Sequence, residues 1–232
     1  MKIIAGVDEA GRGCVLGPLC IGLVAFESEN LIEKFSVLGV RDSKKLSPEK
    51  REHLYSFIKK DCFTSFSKLS VNEIDTYNLN DLEFFNMSRL SDSFIKMFLS
   101  KNSYDMFYNI DLNFDIYVDC PESDYIAYSK KFMQKLSHHR NIRVIGEHKA
   151  DDKYVVVGAA SIIAKVLRDN EMQLIKDKYF NEYGDIGSGY PSDAKTVTFL
   201  KNYYKNNKKF PEETRMKWGT IEKIRRNTVA NT

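Results

Sequence analysis

The segment IIAGVDEAGRG carries two adjacent acids, Asp8 and Glu9, after a hydrophobic stretch and follows them with a Gly-Arg-Gly turn. Neighbouring side chains of a regular strand point to opposite faces of the sheet. Either one of these acids faces away from a common site, or the strand ends there. Paired carboxylates at the end of a buried strand are a candidate for binding a cation.

Two further acids follow predicted buried strands. Asp119 lies at the end of FDIYVDC, and Asp151 lies just beyond IRVIGEH. Because sites in layered α/β sheets gather where strands end, these acids and Asp8 could converge. Carboxylates without His or Cys partners favour Mg²⁺ or Mn²⁺ over Zn²⁺. Two such ions about 4 Å apart can activate water and stabilise the leaving oxygen of a phosphodiester.

Each of these residues also has an ordinary structural interpretation. An Asp at a strand end, such as Asp119, is commonly a cap or turn residue. An acid before a helix, such as Asp151, interacts favourably with the helix dipole. Glycines such as Gly11 and Gly13 permit a tight connection between strands. Taken singly, the residues leave a metal site and these structural roles equally open.

The basic residues near the two acids are similarly ambiguous. Arg12, between two glycines, could anchor Asp42 or lie where the backbone approaches a ligand closely. Lys44 and Lys45, in the stretch DSKKL, could contact phosphates or only water.

Composition indicates a compact globular protein with one large domain. The chain has 232 residues, of which 43% are hydrophobic and 29% are charged. No apolar run approaches the roughly 20 residues that span a bilayer, so we expect a cytoplasmic protein with no membrane partner. The four cysteines form no C-x-x-C pair, so neither a zinc site nor a disulfide framework is indicated, and we expect them reduced and mostly buried.

Positive charge is concentrated near the C-terminus. Residues 193–232 contain ten Lys or Arg against four Asp or Glu, a net charge of +6, whereas the whole chain has a net charge of +3. A basic C-terminal extension on a slightly acidic body suits a polyanionic partner, although a solvated helix surface would have the same composition.

Hydrophobic periodicity predicts an alternation of strands and helices after a hairpin-like start. Ser47 and Pro48 match an N-cap and the first position of a helix. Small residues in GAASIIA predict a helix packed closely on a sheet. The predicted strands are 2–7, 18–26, 62–70, 114–120 and 142–148; the later predicted helices are 80–99, 125–136, 156–178, 193–206 and 212–226.

Five motifs occur in a characteristic order along the chain. They are GVDEAGRG, DSKKL, VDC, EHKAD followed by AASIIAKVLRD, and GSGYPSD. In this combination the chain resembles the archaeal-type branch of the ribonuclease HII family, which is also similar to the catalytic subunit of eukaryotic ribonuclease H2. The resemblance runs from about Ile3 to Ile224 and so covers nearly the whole chain.

The resemblance implies a ribonuclease H-like α/β fold, with a five-stranded mixed sheet flanked by helices. It implies a catalytic domain over residues 1–192 and a basic helical extension over 193–232. The implied activity is hydrolysis of the RNA strand of RNA/DNA hybrids and nicking of DNA 5′ to embedded ribonucleotides, with two Mg²⁺ or Mn²⁺ ions and with 3′-hydroxyl and 5′-phosphate products. Such an enzyme removes misincorporated ribonucleotides and RNA primers.

The resemblance also implies roles for particular residues. The four acidic metal ligands fall on Asp8, Glu9, Asp119 and Asp151. On this basis we expect Asp8 and Asp119 to hold the ions most directly, Glu9 to position the substrate-side ion, and Asp151 to hold the water-side ion. We also expect the strand to end at Asp8 and Glu9, because only a break in strand geometry would let both acids share one site.

Substrate-binding residues are implied in the same way. Gly11, Arg12 and Gly13 match a turn whose backbone recognises the 2′-hydroxyl, the group that distinguishes RNA from DNA. Tyr190 matches a tyrosine that senses the RNA-to-DNA junction. Lys44, Lys45 and the basic C-terminal helices would bind the phosphate backbone and make affinity salt-dependent.

Three residues depart from this pattern or lie beside it. Cys14 stands where many members have proline, which alters turn stiffness but removes no ligand. Asp152 adds an acid beside Asp151, and we expect it to be solvated. His148 is expected at the surface or in the core rather than at the site.

Two related assignments and one unrelated assignment compete with this interpretation. Ribonuclease HIII carries an additional N-terminal domain, which we do not expect because the first strand starts at Lys2. The catalytic subunit of a heterotrimer would need partner proteins, whereas the compact length favours an active monomer. A non-catalytic nucleic-acid-binding protein would be expected to lack ligands. The tail 227–232 has no motif that indicates binding to a replication clamp.

Overall fold

A computed structural model describes residues 1–40, 46–103 and 112–229, without the side chains of 101–103, 228 and 229. Asp42, Lys44 and Lys45 therefore lie outside the described residues. The chain divides into two compact units, each discontinuous in sequence. Unit 1 comprises Met1–Ala10, Cys20–Ser67 and Glu83–Val166; unit 2 comprises Gly11–Leu19, Lys68–Leu82 and Leu167–Thr232. The predicted division after residue 192 stays a prediction.

A five-stranded mixed sheet organises the fold, as the sequence predicts. The strands lie in the order β3-β2-β1-β4-β5. β1 pairs antiparallel with β2 and parallel with β4, and β4 pairs parallel with β5. All of β2 is buried, which fits its unbroken run of apolar residues. The strands are β1 (Lys2–Ala10), β2 (Leu19–Phe26), β3 (Phe63–Leu69), β4 (Asn113–Asp119) and β5 (Ile142–Glu147).

Helices surround this sheet or follow it in the chain. The predicted start of the second helix is confirmed, since the Ser47 hydroxyl accepts a hydrogen bond from the backbone N–H of Lys50 and Pro48 is the first helical residue. The short helices α1, α3 and α6 were not predicted. The described helices are α1 (Asn30–Val37), α2 (Pro48–Asp61), α3 (Val71–Thr76), α4 (Leu79–Ser103), α5 (Tyr125–Met133), α6 (Ala150–Lys153), α7 (Val155–Tyr183), α8 (Ala194–Asn207) and α9 (Gly219–Val229).

In unit 1, the first part of α7 packs directly on the backbone of the central strands. A Cβ atom added at Gly6 would lie 2.4 Å from the carbonyl oxygen of Val156, and one at Gly22 would lie 2.4 Å from that of Ala160. Only glycine fits at either position, because such distances are far inside van der Waals contact. The predicted close packing of the GAAS segment on the sheet is confirmed.

Unit 2 has a hydrophobic core of its own. Aromatic rings of α7 and α8 meet there, with the ring centroids of Tyr179 and Phe199 5.2 Å apart. The buried core residues are Val15, Leu16, Met172, Ile175, Tyr179, Ile186, Phe199, Leu200, Phe210, Ile221 and Ile224.

The last helix begins later than the sequence predicts. Residues 212–218 are not helical, and α9 begins at Gly219. The preceding backbone instead pairs with a distant segment, because Thr214 forms an antiparallel bridge with Leu16 and the N–H of Arg215 donates to the carbonyl of Val15 over 2.9 Å. These non-local hydrogen bonds override the local helical pattern.

Two global expectations concern cysteines and membranes. The four cysteines are free; Cys14, Cys20 and Cys120 are buried and Cys62 is partly exposed. Within the described part of the chain, no helix combines the length and the apolar character needed to cross a bilayer.

Candidate active site

Asp8 and Glu9 lie inside β1, so the expectation that the strand ends at these acids is wrong. β1 continues to Ala10 and keeps its antiparallel partners, with Asp8 opposite Gly22 and Glu9 opposite Ile21. Its register with the other neighbour, β4, runs only to the pair of Val7 and Val118. The acids follow directly after that pairing stops, and the backbone N–H of Glu9 donates to Oδ1 of Asp8 over 2.8 Å. One edge of the strand, rather than the strand itself, ends here.

Three of the predicted acids come together in unit 1. One carboxylate oxygen from each of Asp8, Glu9 and Asp119 lies within 4.8 Å of the others. Within the described residues, this group contains carboxylates alone, without His or Cys. An all-oxygen, negatively charged donor set fits hard divalent cations such as Mg²⁺ and Mn²⁺.

Asp8 is the most perturbed acid of the group. Its side chain is buried, with 3% of its surface exposed. Burial, together with the charges of Glu9, Asp119 and Asp151, raises the pKa of Asp8 well above its usual range, and a hydrogen bond with Ser161 opposes this shift. A bound cation would relieve the same repulsion, because opposite charge favours the ionised carboxylate.

A glycine explains how Ser161 reaches Asp8. Gly22 is the cross-strand partner of Asp8, and its missing side chain is what lets the carbonyl of Ala160 approach β2. Ser161 is the next residue of α7 and is fully buried. The sequence interpretation did not identify Ser161, because its contact with Asp8 depends on the register of two strands.

Asp119 fixes the backbone that carries Asp151. Oδ1 of Asp119 accepts a hydrogen bond from the N–H of Ala150 over 2.8 Å, at the first residue of α6. Asp151 is the next residue and is buried, with 1% exposed. It is close enough to raise the pKa of Asp8, but it is not a member of the three-carboxylate group. Its role as a fourth ligand stays a prediction.

Another acid lies at the same edge of the sheet and has different partners. Glu147 is the register partner of Asp119. It forms a salt bridge with Lys153 and accepts a hydrogen bond from the Tyr154 hydroxyl over 2.6 Å, and these contacts lower its pKa. Both oxygens of Glu147 are therefore held by side chains outside the three-carboxylate group.

The predicted Gly-Arg-Gly turn belongs to unit 2. The N–H of Cys14 donates to the carbonyl of Gly11 over 3.2 Å, which closes a four-residue turn. Gly11 has φ +88°, and a Cβ there would lie 2.9 Å from the carbonyl oxygen of Pro18. This position therefore requires glycine for its conformation and for its surroundings.

Tyr190 lies beside this turn, and its predicted role in sensing the RNA-to-DNA junction stays a prediction. A Cβ on Gly13 would lie 3.8 Å from Cε1 of Tyr190. The residue before Tyr190 also bonds to the segment after the turn, because the N–H of Val15 donates to the carbonyl of Gly189 over 2.8 Å. Tyr190 is 37% exposed. The guanidinium of Arg168 lies 5.0 Å from its ring centroid, a cation–π distance.

Arg168 also contacts Cys14, the residue that follows the Gly-Arg-Gly turn. The sulfur of Cys14 accepts a hydrogen bond from Nη2 of Arg168 over 3.2 Å, and the same nitrogen donates to the carbonyl of Ser188. Burial raises the pKa of the Tyr190 hydroxyl, with Cys14 adding to this shift. The sequence interpretation did not assign Arg168 a role, although it lies in the AASIIAKVLRD motif.

The remaining predicted residues have mixed outcomes. Arg12 donates a hydrogen bond to Oδ1 of Asn80, while its proposed partner Asp42 is outside the described residues. Asp152 and His148 are exposed, as expected. Nine of the ten basic residues of 193–232 are exposed, but Arg215 is fully buried and so is not part of a basic surface.

Comparisons with known proteins show which family the sequence resembles. Residues 5–221 match the family model described as ribonuclease HII. The chain is 42% identical over 227 residues to the ribonuclease HII of Methanococcus maripaludis strain C5, covering 96% of this chain and 87% of the relative.

Two solved structures are similar over nearly their whole length. The ribonuclease H2 of Pyrococcus horikoshii OT3 has a TM-score of 0.80 and 37% identity, covering 98% of this chain and 99% of that one. The ribonuclease HII of Archaeoglobus fulgidus, solved in a complex with PCNA, has a TM-score of 0.74 and 35% identity, covering 93% of this chain and 95% of that one.

Proposed function

The chain belongs to the ribonuclease HII family, and from that membership we propose that it hydrolyses the RNA strand of RNA/DNA hybrids and nicks DNA 5′ to embedded ribonucleotides. The products would carry 3′-hydroxyl and 5′-phosphate ends. We propose a role in removing misincorporated ribonucleotides and RNA primers, with the chain acting as a cytoplasmic monomer. The observation that carries the proposal is the convergence of the carboxylates of Asp8, Glu9 and Asp119.

The donor set supports two Mg²⁺ or Mn²⁺ ions as cofactors. Asp8, Glu9, Asp119 and Asp151 would hold them. The first three form an all-carboxylate group. The fourth is buried, follows the residue that donates to Asp119, and raises the pKa of Asp8. When bound, such ions supply an activated water and neutralise charge that develops on the phosphate.

The protein groups around the acids keep the site organised. Ser161 donates a hydrogen bond that orients the carboxylate of Asp8. The N–H of Ala150 does the same for Asp119 and ties that acid to the segment carrying Asp151. Because these donors belong to rigid secondary structure, the ligands need little reorganisation on binding an ion.

Substrate recognition would fall to the turn and to basic side chains. The turn from Gly11 to Gly13 and the side chain of Tyr190 would contact the sugar, where a 2′-hydroxyl both donates and accepts. Lys44, Lys45 and the exposed basic residues of 193–232 would contact phosphates without reading sequence. Affinity should then fall steeply as salt concentration rises.

The test is cleavage of end-labelled duplexes. One duplex contains a single ribonucleotide, a second is all DNA and a third is a continuous RNA/DNA hybrid, each incubated with Mg²⁺, with Mn²⁺ and with chelator. We expect one metal-dependent nick 5′ to the ribonucleotide and no cleavage of all-DNA duplex. Cleavage of the long hybrid alone would assign a different type of ribonuclease H.

A pair of variants separates catalysis from binding. Asp119→Asn should lose turnover by orders of magnitude while duplex binding persists. Asp115→Asn is the matched control on the same strand, because Asp115 is buried yet held by Arg143 rather than by the acid group. It should cleave at nearly the parental rate. Undiminished cleavage by Asp119→Asn would refute the proposed site, and binding without cleavage by the parent would favour a nucleic-acid-binding protein or a missing partner.

A further inference from the structure

The central peptide of the Gly11 to Cys14 turn has a defined orientation. This peptide joins Arg12 to Gly13, and turns of this size exist in two forms that differ by a flip of that unit. Gly13 does not adopt positive φ, although glycine allows the flipped form in which it would. The turn by itself therefore leaves both orientations accessible.

A buried arginine selects one of them. The fully buried side chain of Arg215 donates from Nη1 to the carbonyl of Arg12 over 2.9 Å and from Nε to the carbonyl of Gly17 over 2.9 Å. Its guanidinium lies 5.0 Å from the ring centroid of Trp218. Two hydrogen bonds from one planar group thus hold the carbonyl inside the turn and a second carbonyl three residues after it.

The fixed carbonyl determines where the next N–H points. The C=O and N–H of a trans peptide point in opposite directions. Because the Arg12 carbonyl faces the buried guanidinium, the N–H of Gly13 faces the other way, and Gly13 is exposed. In the described part of the chain this N–H has no acceptor. It is a backbone donor on an exposed residue.

We propose that Arg215 is a positioning residue for 2′-hydroxyl recognition, holding the Arg12–Gly13 peptide so that the Gly13 N–H donates to the ribose. This inference rests on the proposed function. Lysine cannot replace the arginine, since one ammonium does not offer a planar fork to two carbonyls. Nη2 of Arg215 is buried and has no hydrogen-bond partner among the described residues. A buried donor without a partner lowers the stability of the fold, so burying this arginine carries a free-energy penalty.

The experiment compares affinities without cleavage. Binding of a duplex with one ribonucleotide and of the matched all-DNA duplex is measured in chelator for the parent, Arg215→Lys and Trp218→Leu. The ribonucleotide preference, the ratio of the two affinities, should fall about five- to tenfold in Arg215→Lys, the effect of one lost hydrogen bond. It should fall less in Trp218→Leu, and all-DNA affinity should stay constant. Arg143→Lys, the same change at an exposed arginine of β5, should keep the parental ratio.

The outcomes distinguish this inference from the proposed function. A parent with neither cleavage nor ribonucleotide preference refutes the function. A parent with both, beside an Arg215→Lys protein that keeps the full preference, refutes only the role of Arg215. An equal loss of affinity for both duplexes in Arg215→Lys also refutes it, because orientation of one N–H cannot weaken all-DNA binding.

A second measurement needs no folded variant of Arg215. The chain has twelve glycines, so selective ¹⁵N-glycine labelling gives a sparse spectrum. The Gly13 signal, assigned by its absence in Gly13→Ala, should shift on adding the ribonucleotide duplex and not on adding the all-DNA duplex. Equal shifts with both duplexes, or none with either, would overturn the inference.

Discussion

Replacing Asp8 by Asn should stabilise the metal-free protein while abolishing metal binding. Asp8 is buried beside Glu9 and Asp119, and its pKa is raised by burial first and by their charges next. A carboxyl whose folded pKa exceeds its unfolded value of about 3.9 contributes stability at low pH, and that contribution is lost as pH rises through the folded pKa. At neutral pH, far above the unfolded pKa, keeping this carboxyl in its buried site opposes folding, whereas the neutral Asn amide carries no such penalty.

The separation of the acids sets the size of the effect. Their ligand oxygens lie within 4.8 Å of one another. At an effective dielectric constant of about 20, two unit charges at about 5 Å repel by about 3 kcal/mol. Proton uptake and salt absorb part of this repulsion, so we expect Asp8→Asn to gain about 1–3 kcal/mol in chelator. For a chain of this size, each kcal/mol raises Tm by about 2–4 °C.

Thermal unfolding in chelator and in Mn²⁺ provides the assay. The gain in Asp8→Asn should be larger at neutral pH than in acid and should vanish below about pH 3, where Asp8 is protonated in both the folded and the unfolded state. Mn²⁺ at about 100 times its Kd should stabilise the parent by about 2.7 kcal/mol and leave Asp8→Asn nearly unchanged. The Tm of Asp8→Asn should therefore exceed that of the parent by less in Mn²⁺ than in chelator, or should fall below it.

Asp115 on β4 is the matched control, because its replacement by Asn should change Tm in the opposite direction. It is also buried, but Arg143 donates to both of its oxygens, over 2.6 and 2.5 Å, and these bonds lower its pKa. The contribution of Asp115 to the free energy of unfolding is therefore present above its unfolded pKa and is lost as pH falls through its folded pKa. Asp115→Asn should thus lower Tm at neutral pH. A lower Tm for Asp8→Asn in chelator, or equal Mn²⁺ stabilisation of Asp8→Asn and the parent, would refute the reasoning.

Three further predictions concern the fold. Gly22→Ala should cost about 3 kcal/mol or more by calorimetry, since its Cβ would lie 2.4 Å from the carbonyl oxygen of Ala160, whereas Gly219→Ala, with nothing within 4 Å, should unfold like the parent. The Cys62 thiol, whose pKa is raised to about 12 by burial first and by nearby acids next, should react slowly with iodoacetamide at pH 8 although it is partly exposed; a rate like that of a free thiol would contradict this. Ser70→Ala removes a capping box at α3 and should cost about 1 kcal/mol in urea unfolding; an unchanged midpoint would show that the cap contributes nothing.

Local signals predicted much of the fold. The Ser47 cap, the apolar run of β2 and the amphipathic spacing of α4 each depend on a few neighbouring residues. The ordered motifs predicted the acid group, because Asp8, Glu9 and Asp119 fall on strands whose pairing brings them together. Such features need no knowledge of distant partners.

Features that depend on distant partners were missed. The start of α9 could not be predicted locally, because residues before Gly219 form hydrogen bonds with Val15 and Gly17, about 200 positions earlier. Arg215 counted as one of the basic residues of the C-terminal segment, yet it is buried and donates to backbone carbonyls of the turn. Charge composition cannot distinguish a surface cation from one that holds a backbone.

The expectation that β1 ends at Asp8 and Glu9 failed for a physical reason. Alternation of side chains is strict only in a regular strand, and pairing on both edges keeps a strand regular. Here the antiparallel register with β2 continues past Glu9, while the parallel register with β4 stops at Val7. The free edge gives the Asp8 carboxylate room to accept the N–H of Glu9, and Gly22 opposite admits the helix that supplies Ser161. Two neighbouring acids can therefore share a cation site within an intact strand, provided that one neighbouring strand ends and the other carries glycine.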